Sequence, residues 1–169
     1  PQNPVAPFPY YSEEVAFNNS AANVKLAGTL TLPQKEGNFP AVILITGSGP
    51  QDRDEKLFDH QPFLVLSDYL TRNGFAVLRY DDRGVAQSTG DFKAATTKDF
   101  ATDVESALAY LRTRKEINQK KIGLIGHSEG GMIAPMVGAE DKNVAFIVLL
   151  AGPGMPITEL MLLQKEKID

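Results

Sequence analysis

From residue 13 almost to the end, short apolar runs alternate with longer segments whose apolar residues recur at helical spacing. EEVAFNN (13–19) and VKLAGTLTLP (24–33) alternate enough to predict an antiparallel strand pair. AVILIT (41–46), FAVLRY (75–80), KIGLI (121–125) and VAFIVLLA (144–151) are apolar almost throughout, as strands covered on both faces should be. Phe63, Leu66 and Leu70 mark one face of a helix that Pro62 opens and Asn73-Gly74 stops. Thr96 with Asp99 reads as a capping box ahead of a second helix, which carries Phe100, Val104, Leu108 and Leu111. A third helix is predicted from about Ser128 to Ala139. Strands alternating with helices predict an α/β fold, a mostly parallel sheet with helices on both faces, preceded by the antiparallel pair. The proline-rich residues 1–12 read as an extended leader or linker, 13–155 as the core, and TELMLLQKEKID within 156–169 as a further helix.

Composition narrows the chemistry. With 169 residues the chain is one domain's worth and can bury a real core. A net charge of −4 gives no affinity for phosphate backbones, so nucleic acid is not an expected partner. The absence of cysteine removes disulfides, thiolate metal sites and a cysteine nucleophile. With only His60 and His127 present, a zinc site would have to be mostly carboxylate, so no metal and no cofactor are expected. No apolar run approaches the ~20 residues of a membrane span. A chain that opens Pro-Gln-Asn-Pro without methionine is expected to have lost residues ahead of it, which leaves the compartment open.

The densest signal is KIGLIGHSEGGM (121–132), where Gly126, Gly130 and Gly131 surround Ser128 directly after a strand. Glycine is used where a Cβ would collide or φ must be unusual, so the cluster predicts a forced turn. Gly126-His127-Ser128-Glu129-Gly130 matches the G-x-S-x-G pattern in the strand-to-helix setting which that pattern requires. Ser128 could simply cap the helix, but capping does not explain glycine on both sides. Two other loops invite other readings. Gly47-Ser48-Gly49 could open a dinucleotide fold, yet Asp52 stands where the third glycine belongs. Asp52, Asp54 and Glu55 could hold calcium, but the EF-hand spacing fails; a solvated charged loop, with Arg53 and Asp54 paired to each other, is expected instead.

The segments GSGPQDRDE (47–55), YDDRG (80–84), GHSEGG (126–131) and LAGPG (150–154), in this order, resemble the serine α/β-hydrolases, and among them a bacterial esterase-like and serine-aminopeptidase-like group. The resemblance covers nearly everything from residue 13 and implies an α/β-hydrolase fold. It implies Ser128 as nucleophile and the backbone N–H of Glu129 as one oxyanion donor. The second donor it implies is the N–H of Ser48, with Gly49 as the alternative, although Thr46 stands where a histidine is more usual. In the YDDRG loop Ala86 replaces a usual glycine, which points to a structural loop held by Asp82 and Arg83. A small-molecule ester or short acyl compound is the implied substrate, with amide cleavage as the alternative and a non-catalytic binding module as the other class.

A serine needs a base, and in this fold the order is Ser, then Asp or Glu, then His. No histidine follows Ser128. His127 should point away from Ser128, because neighbours on an extended backbone face opposite ways. His60 precedes the nucleophile and is the lesser candidate for a base. The resemblance implies an eight-stranded sheet whose acid and base follow its last two strands, whereas six strands are predicted here. The chain is therefore expected to be the N-terminal part of such a hydrolase, inactive alone, with residues 156–169 starting a cap. Its last strand, with Val144, Phe146, Val148 and Leu150 on one face and Ile147 and Leu149 on the other, is then an unprotected edge that favours self-association.

Overall fold

The computed structural model describes residues 2–168. Six strands, β1 (Tyr11–Asn19), β2 (Val24–Leu32), β3 (Phe39–Ile45), β4 (Ala76–Tyr80), β5 (Ile117–His127) and β6 (Phe146–Leu150), form one sheet in the order β1-β2-β4-β3-β5-β6. β1 and β2 are an antiparallel hairpin, and β2 also lies antiparallel to β4. The β4, β3, β5 and β6 neighbours all run parallel. This is the expected α/β architecture with its antiparallel N-terminal pair.

Alternation along each buried strand divides its side chains between two cores. Val42, Leu44, Val77 and Ile125 meet Phe63, Leu66 and Leu70 of α1 (Pro62–Arg72) on one face. Ala41, Ile43, Ile45, Leu78 and Leu124 meet α2 (Thr97–Thr113) and α3 (Gly130–Glu140) on the other. β4 is buried at every position, which explains why its sequence shows no polar alternation. The helix ends follow local chemistry. The Thr96 hydroxyl accepts the Asp99 N–H while the Asp99 carboxylate accepts the Thr96 N–H, and Gly74 at φ +93° ends the α1 turn.

Several boundaries differ from the sequence pattern: β1 opens at Tyr11, inside the expected leader, β3 at Phe39, and β6 only at Phe146, and three further cases have a clear local cause. β5 begins at Ile117 rather than at residue 121, because Ile117 pairs with Phe39 while Gln119, Lys120 and Lys121 lie exposed. Their polarity hides the strand. β6 ends at Leu150, since Ala151 turns to φ +51°. α3 starts at Gly130, so Ser128 lies ahead of the helix instead of opening it.

Residues 2–10 carry no strand or helix and are tied down by Asn3 Nδ2 donating to the Asp59 carbonyl and Tyr10 donating to Asp68. At the opposite end α4 (Ile157–Ile168) leaves Met161, Leu162 and Leu163 exposed, so these residues do not cover β6.

Among the described residues β6 has no neighbour on its outer side, and Ile147, Val148, Leu149 and Leu150 all remain between 36% and 50% exposed. An uncharged apolar edge is a template for pairing. The chain is expected to self-associate as concentration rises, and Val148→Lys to suppress this. Light scattering over a concentration series checks it, and a mass that stays at one chain throughout would contradict it.

Candidate active site

Ser128 sits between the end of β5 and the start of α3 at φ +52°, in the left-handed region that non-glycine residues rarely occupy. The N-cap position of α3 is Glu129, and the Ser128 hydroxyl accepts no helix N–H among the described residues, so Ser128 does not serve as a cap. The surrounding glycines are forced by contact. A Cβ on Gly126 would overlap the Gly130 carbonyl, one on Gly130 would strike the Ile45 carbonyl, and one on Gly131 would lie 2.7 Å from Gly152 Cα. The turn is closed by the Ser128 N–H donating to the Leu150 carbonyl at 2.9 Å and the Gly131 N–H donating to the Ser128 carbonyl at 2.9 Å. Ser128 is left half-buried, and its hydroxyl makes no hydrogen bond among the described residues.

The loop after β3 reaches the same place. A Cβ on Gly47 would stand 3.2 Å from Ser128 Cβ. Ser48 is exposed, Gly49 half-buried at φ +88°, and neither amide donates within the described residues; nor does that of Glu129. Gly49 and Glu129 line one small cavity together, with a volume of about 10 Å³, whereas Ser48 does not line it. The sequence-predicted Ser128, Glu129 and the 48–49 loop are thus brought together.

Residues 52–55 overturn the expectation of a solvated loop. Arg53 and Asp54 do not pair with one another. Arg53 grips Asp81 through Nε and Nη2 at 3.1 and 2.8 Å and also pairs with Glu14, while Asp54 accepts Arg79 Nε at 2.8 Å. Glu55 is buried, with Oε1 accepting the Gly47 N–H at 2.7 Å and lying 2.8 Å from His127 Nδ1. Burial opposes charge on Asp81, but the hydrogen bonds and charge of Arg53 outweigh it and hold this carboxyl below its usual range. Sequence alone pairs nearest neighbours, while the fold delivers Arg53 and Asp54 to the end of β4 and Glu55 to the end of β5.

Neither histidine makes a hydrogen bond to Ser128 among the described residues. His127 is turned to Glu55, and His60 lines an open depression with Gln61, Pro62, Val65 and Tyr69 beside α1. No group of three or more His, Asp or Glu residues is arranged to hold a metal, and no helix is long and apolar enough to cross a membrane, among the described residues.

Behind the 46–51 loop stands Asp82, whose carboxylate accepts the Thr46 hydroxyl at 2.6 Å and the Gln51 N–H at 3.0 Å. Arg83 next to it makes a bidentate pair with buried Asp103 of α2, at 2.7 and 2.8 Å. The start of α2 in turn donates from Thr97 to Glu129 at 2.8 Å. Desolvation pushes the Asp82 carboxyl up to about 7, against the two hydrogen bonds and with added repulsion from Asp103 and Glu55. A raised folded value gives stability that is full below the ordinary 3.8 and is lost as pH climbs through about 7. Unfolding by urea at pH 4.5 and 8 should therefore show Asp82→Asn gaining on the wild type by up to about 3 kcal/mol as pH rises. Parallel losses in both proteins would refute this role of Asp82.

The comparisons with known proteins agree with the fold. A family described as serine aminopeptidase, S33, matches residues 61–167. Esterase EstD of Thermotoga maritima is 32% identical over 154 residues, which cover 90% of this chain and 37% of EstD. The crystal structure of the Pyrococcus furiosus esterase Pf2001 is similar with a TM-score of 0.71 at 25% identity, covering 85% of this chain and 53% of that one. The hypothetical protein PA2218 of Pseudomonas aeruginosa shares the fold with a TM-score of 0.77 at 24% identity, over 91% of this chain and 46% of its own. The chain spans about half or less of the length of these relatives. With a family match over more than half its residues, an esterase relative along most of its length and this sheet behind Ser128, the protein belongs to the S33 serine aminopeptidase family of α/β-hydrolases.

Proposed function

We propose that the complete protein is a serine hydrolase that cleaves carboxylic esters through an acyl-enzyme. The observation that carries this reading is Ser128 held at φ +52° on a turn where Gly126 and Gly130 admit no side chain, with undonated amides beside it. Ser128 Oγ attacks the carbonyl carbon, and the carbonyl electrons move onto oxygen. The N–H groups of Glu129 and Ser48, or of Gly49 in place of Ser48, receive that oxyanion. Collapse expels the alcohol, which takes up the proton from the serine, and water then releases the acid. The substrate is a small-molecule ester or short acyl compound. EstD and Pf2001 are esterases, which favours esters. The serine aminopeptidase description of the family favours amide cleavage as the second reading.

The base is the part this chain does not supply. His127 is engaged by Glu55, and His60 belongs to the depression beside α1. On this reading the acid and base are supplied by the complete protein outside these 169 residues, the chain covering 37% of EstD.

Ser128→Ala in the complete protein is expected to lower kcat on a short activated ester by about 10⁴-fold or more. Near-wild-type turnover would refute the assignment, and turnover of aminoacyl anilides in preference to esters would select the amide reading. The 169-residue chain alone is expected to show little turnover, because an oxyanion hole without a base gives only residual catalysis. Pre-steady-state release of a chromogenic alcohol tests this, and a burst abolished by His60→Ala would make His60 the base.

A further inference from the structure

The structure assigns Glu55 as the positioning residue that locks the oxyanion loop to the nucleophile elbow, an inference that rests on the reading of Ser128 as nucleophile. A single carboxylate oxygen of Glu55 serves two segments far apart in sequence. It accepts the Gly47 N–H at 2.7 Å, at the start of the loop after β3, and meets His127 Nδ1 at 2.8 Å, one residue before Ser128. With Glu55 ionised its oxygen only accepts, and His127 Nδ1 is then the donor in this contact. The convergence is tight. A Cβ on Gly47 would lie 3.2 Å from Ser128 Cβ, 3.3 Å from His127 Nδ1 and 3.4 Å from Glu55 Oε1.

Attachment of the loop to the sheet does not require Glu55. Arg53 with Asp81 and Asp54 with Arg79 already perform that task, and Thr46 and Gln51 are fastened to Asp82. Glu55 alone of these reaches β5 beside the nucleophile. It is 6% exposed and held at φ +51°, a strained conformation that persists only where the surroundings impose it. A strained, buried carboxylate with its oxygen shared between the two halves of a site is a placement that packing alone does not explain. Its consequence is geometric: the Ser48 or Gly49 amide on one side and the Glu129 amide on the other keep a fixed separation around the Ser128 hydroxyl. Oxyanion donors act through such preorganisation, and they lose their effect when displaced by about 1 Å.

The test compares Glu55→Ala, Glu55→Gln and His127→Ala with wild type by two readouts. In the 169-residue chain, amide exchange at Gly47 and the ring nitrogen shifts of His127 report the contacts directly. Glu55→Ala is expected to accelerate Gly47 exchange and shift the His127 ring, while Glu55→Gln keeps an acceptor for Gly47 and restores its protection. In the complete protein, Glu55→Ala is expected to lower kcat on a short ester about 10²-fold with KM changed less than about threefold, and Glu55→Gln to recover most of that loss. A merely structural role would lower thermal stability without splitting kcat from KM. Should Glu55→Ala fail to fold, His127→Ala keeps the carboxylate and its bond to Gly47, and is expected to lower kcat in the same sense. Unchanged kcat in the folded variants, or unchanged Gly47 exchange in Glu55→Ala, overturns the assignment. Absence of Ser128-dependent ester turnover in the wild type instead refutes the reading of Ser128 and withdraws the catalytic part of this inference, while the exchange data still decide whether Glu55 joins the two segments.

Discussion

Three stretches of backbone meet behind Ser128 with no room for a side chain: the end of β3 at Ile45, the last residues of β5 and the first turn of α3. A methyl group on Gly126 or Gly130 would overlap a carbonyl oxygen of the facing segment. This contact sets the angle at which the chain leaves the sheet, and so the left-handed conformation of Ser128 follows from it. An L-residue there costs roughly 1–2 kcal/mol, which the parallel ladder of β3, β5 and β6 and the packing of α3 must offset. The bond from the Ser128 N–H to the Leu150 carbonyl makes β6 part of the same constraint.

Electrostatics then fixes the loops that the sheet presents. Asp81, Asp82 and Arg83 leave the end of β4 in three directions. Asp81 takes Arg53, Asp82 takes Thr46 and the Gln51 amide, and Arg83 takes Asp103 on α2. Buried ion pairs of this kind are not strong evidence for net stability, because desolvation offsets much of the attraction. Their value here is geometric. They tie the 46–55 loop and the start of α2 to one strand end, and α2 reaches the elbow through the bond from Thr97 to Glu129. Asp82 shows the cost of this crowding, since burial and neighbouring carboxylates make its charge unfavourable near neutral pH.

The elbow was legible in the sequence because its cause is local. Glycine at Gly126 and Gly130, a β-rich run before and an apolar helix after leave few structures open. The strands of the sheet interior were legible for a related reason, since burial on both faces writes an apolar run into β3 and β4. Where a strand extends past the packed region, as Asn118 to Lys120 do in β5, polar side chains replace that signal and the pattern reads as a loop.

Sequence by itself determined the fold class, the capping of α2 by Thr96 and Asp99 and the glycine-bounded turn at Ser128, because each depends on neighbours along the chain or on burial common to a whole element, whereas the meeting of the Gly-Ser-Gly loop with that turn was implied only by the family resemblance. Only the tertiary structure decided where Arg53, Asp54 and Glu55 go. Adjacent charges look like a solvated run or like partners of one another, and nothing in their order says that Asp81, Arg79 and His127 stand waiting at the ends of two strands. Long-range pairing of charges depends on the sheet order β4-β3-β5, which brings together residues as distant as Glu55 and His127. Local pattern carries no record of that order, so the join between loop and elbow exists only once the chain has folded.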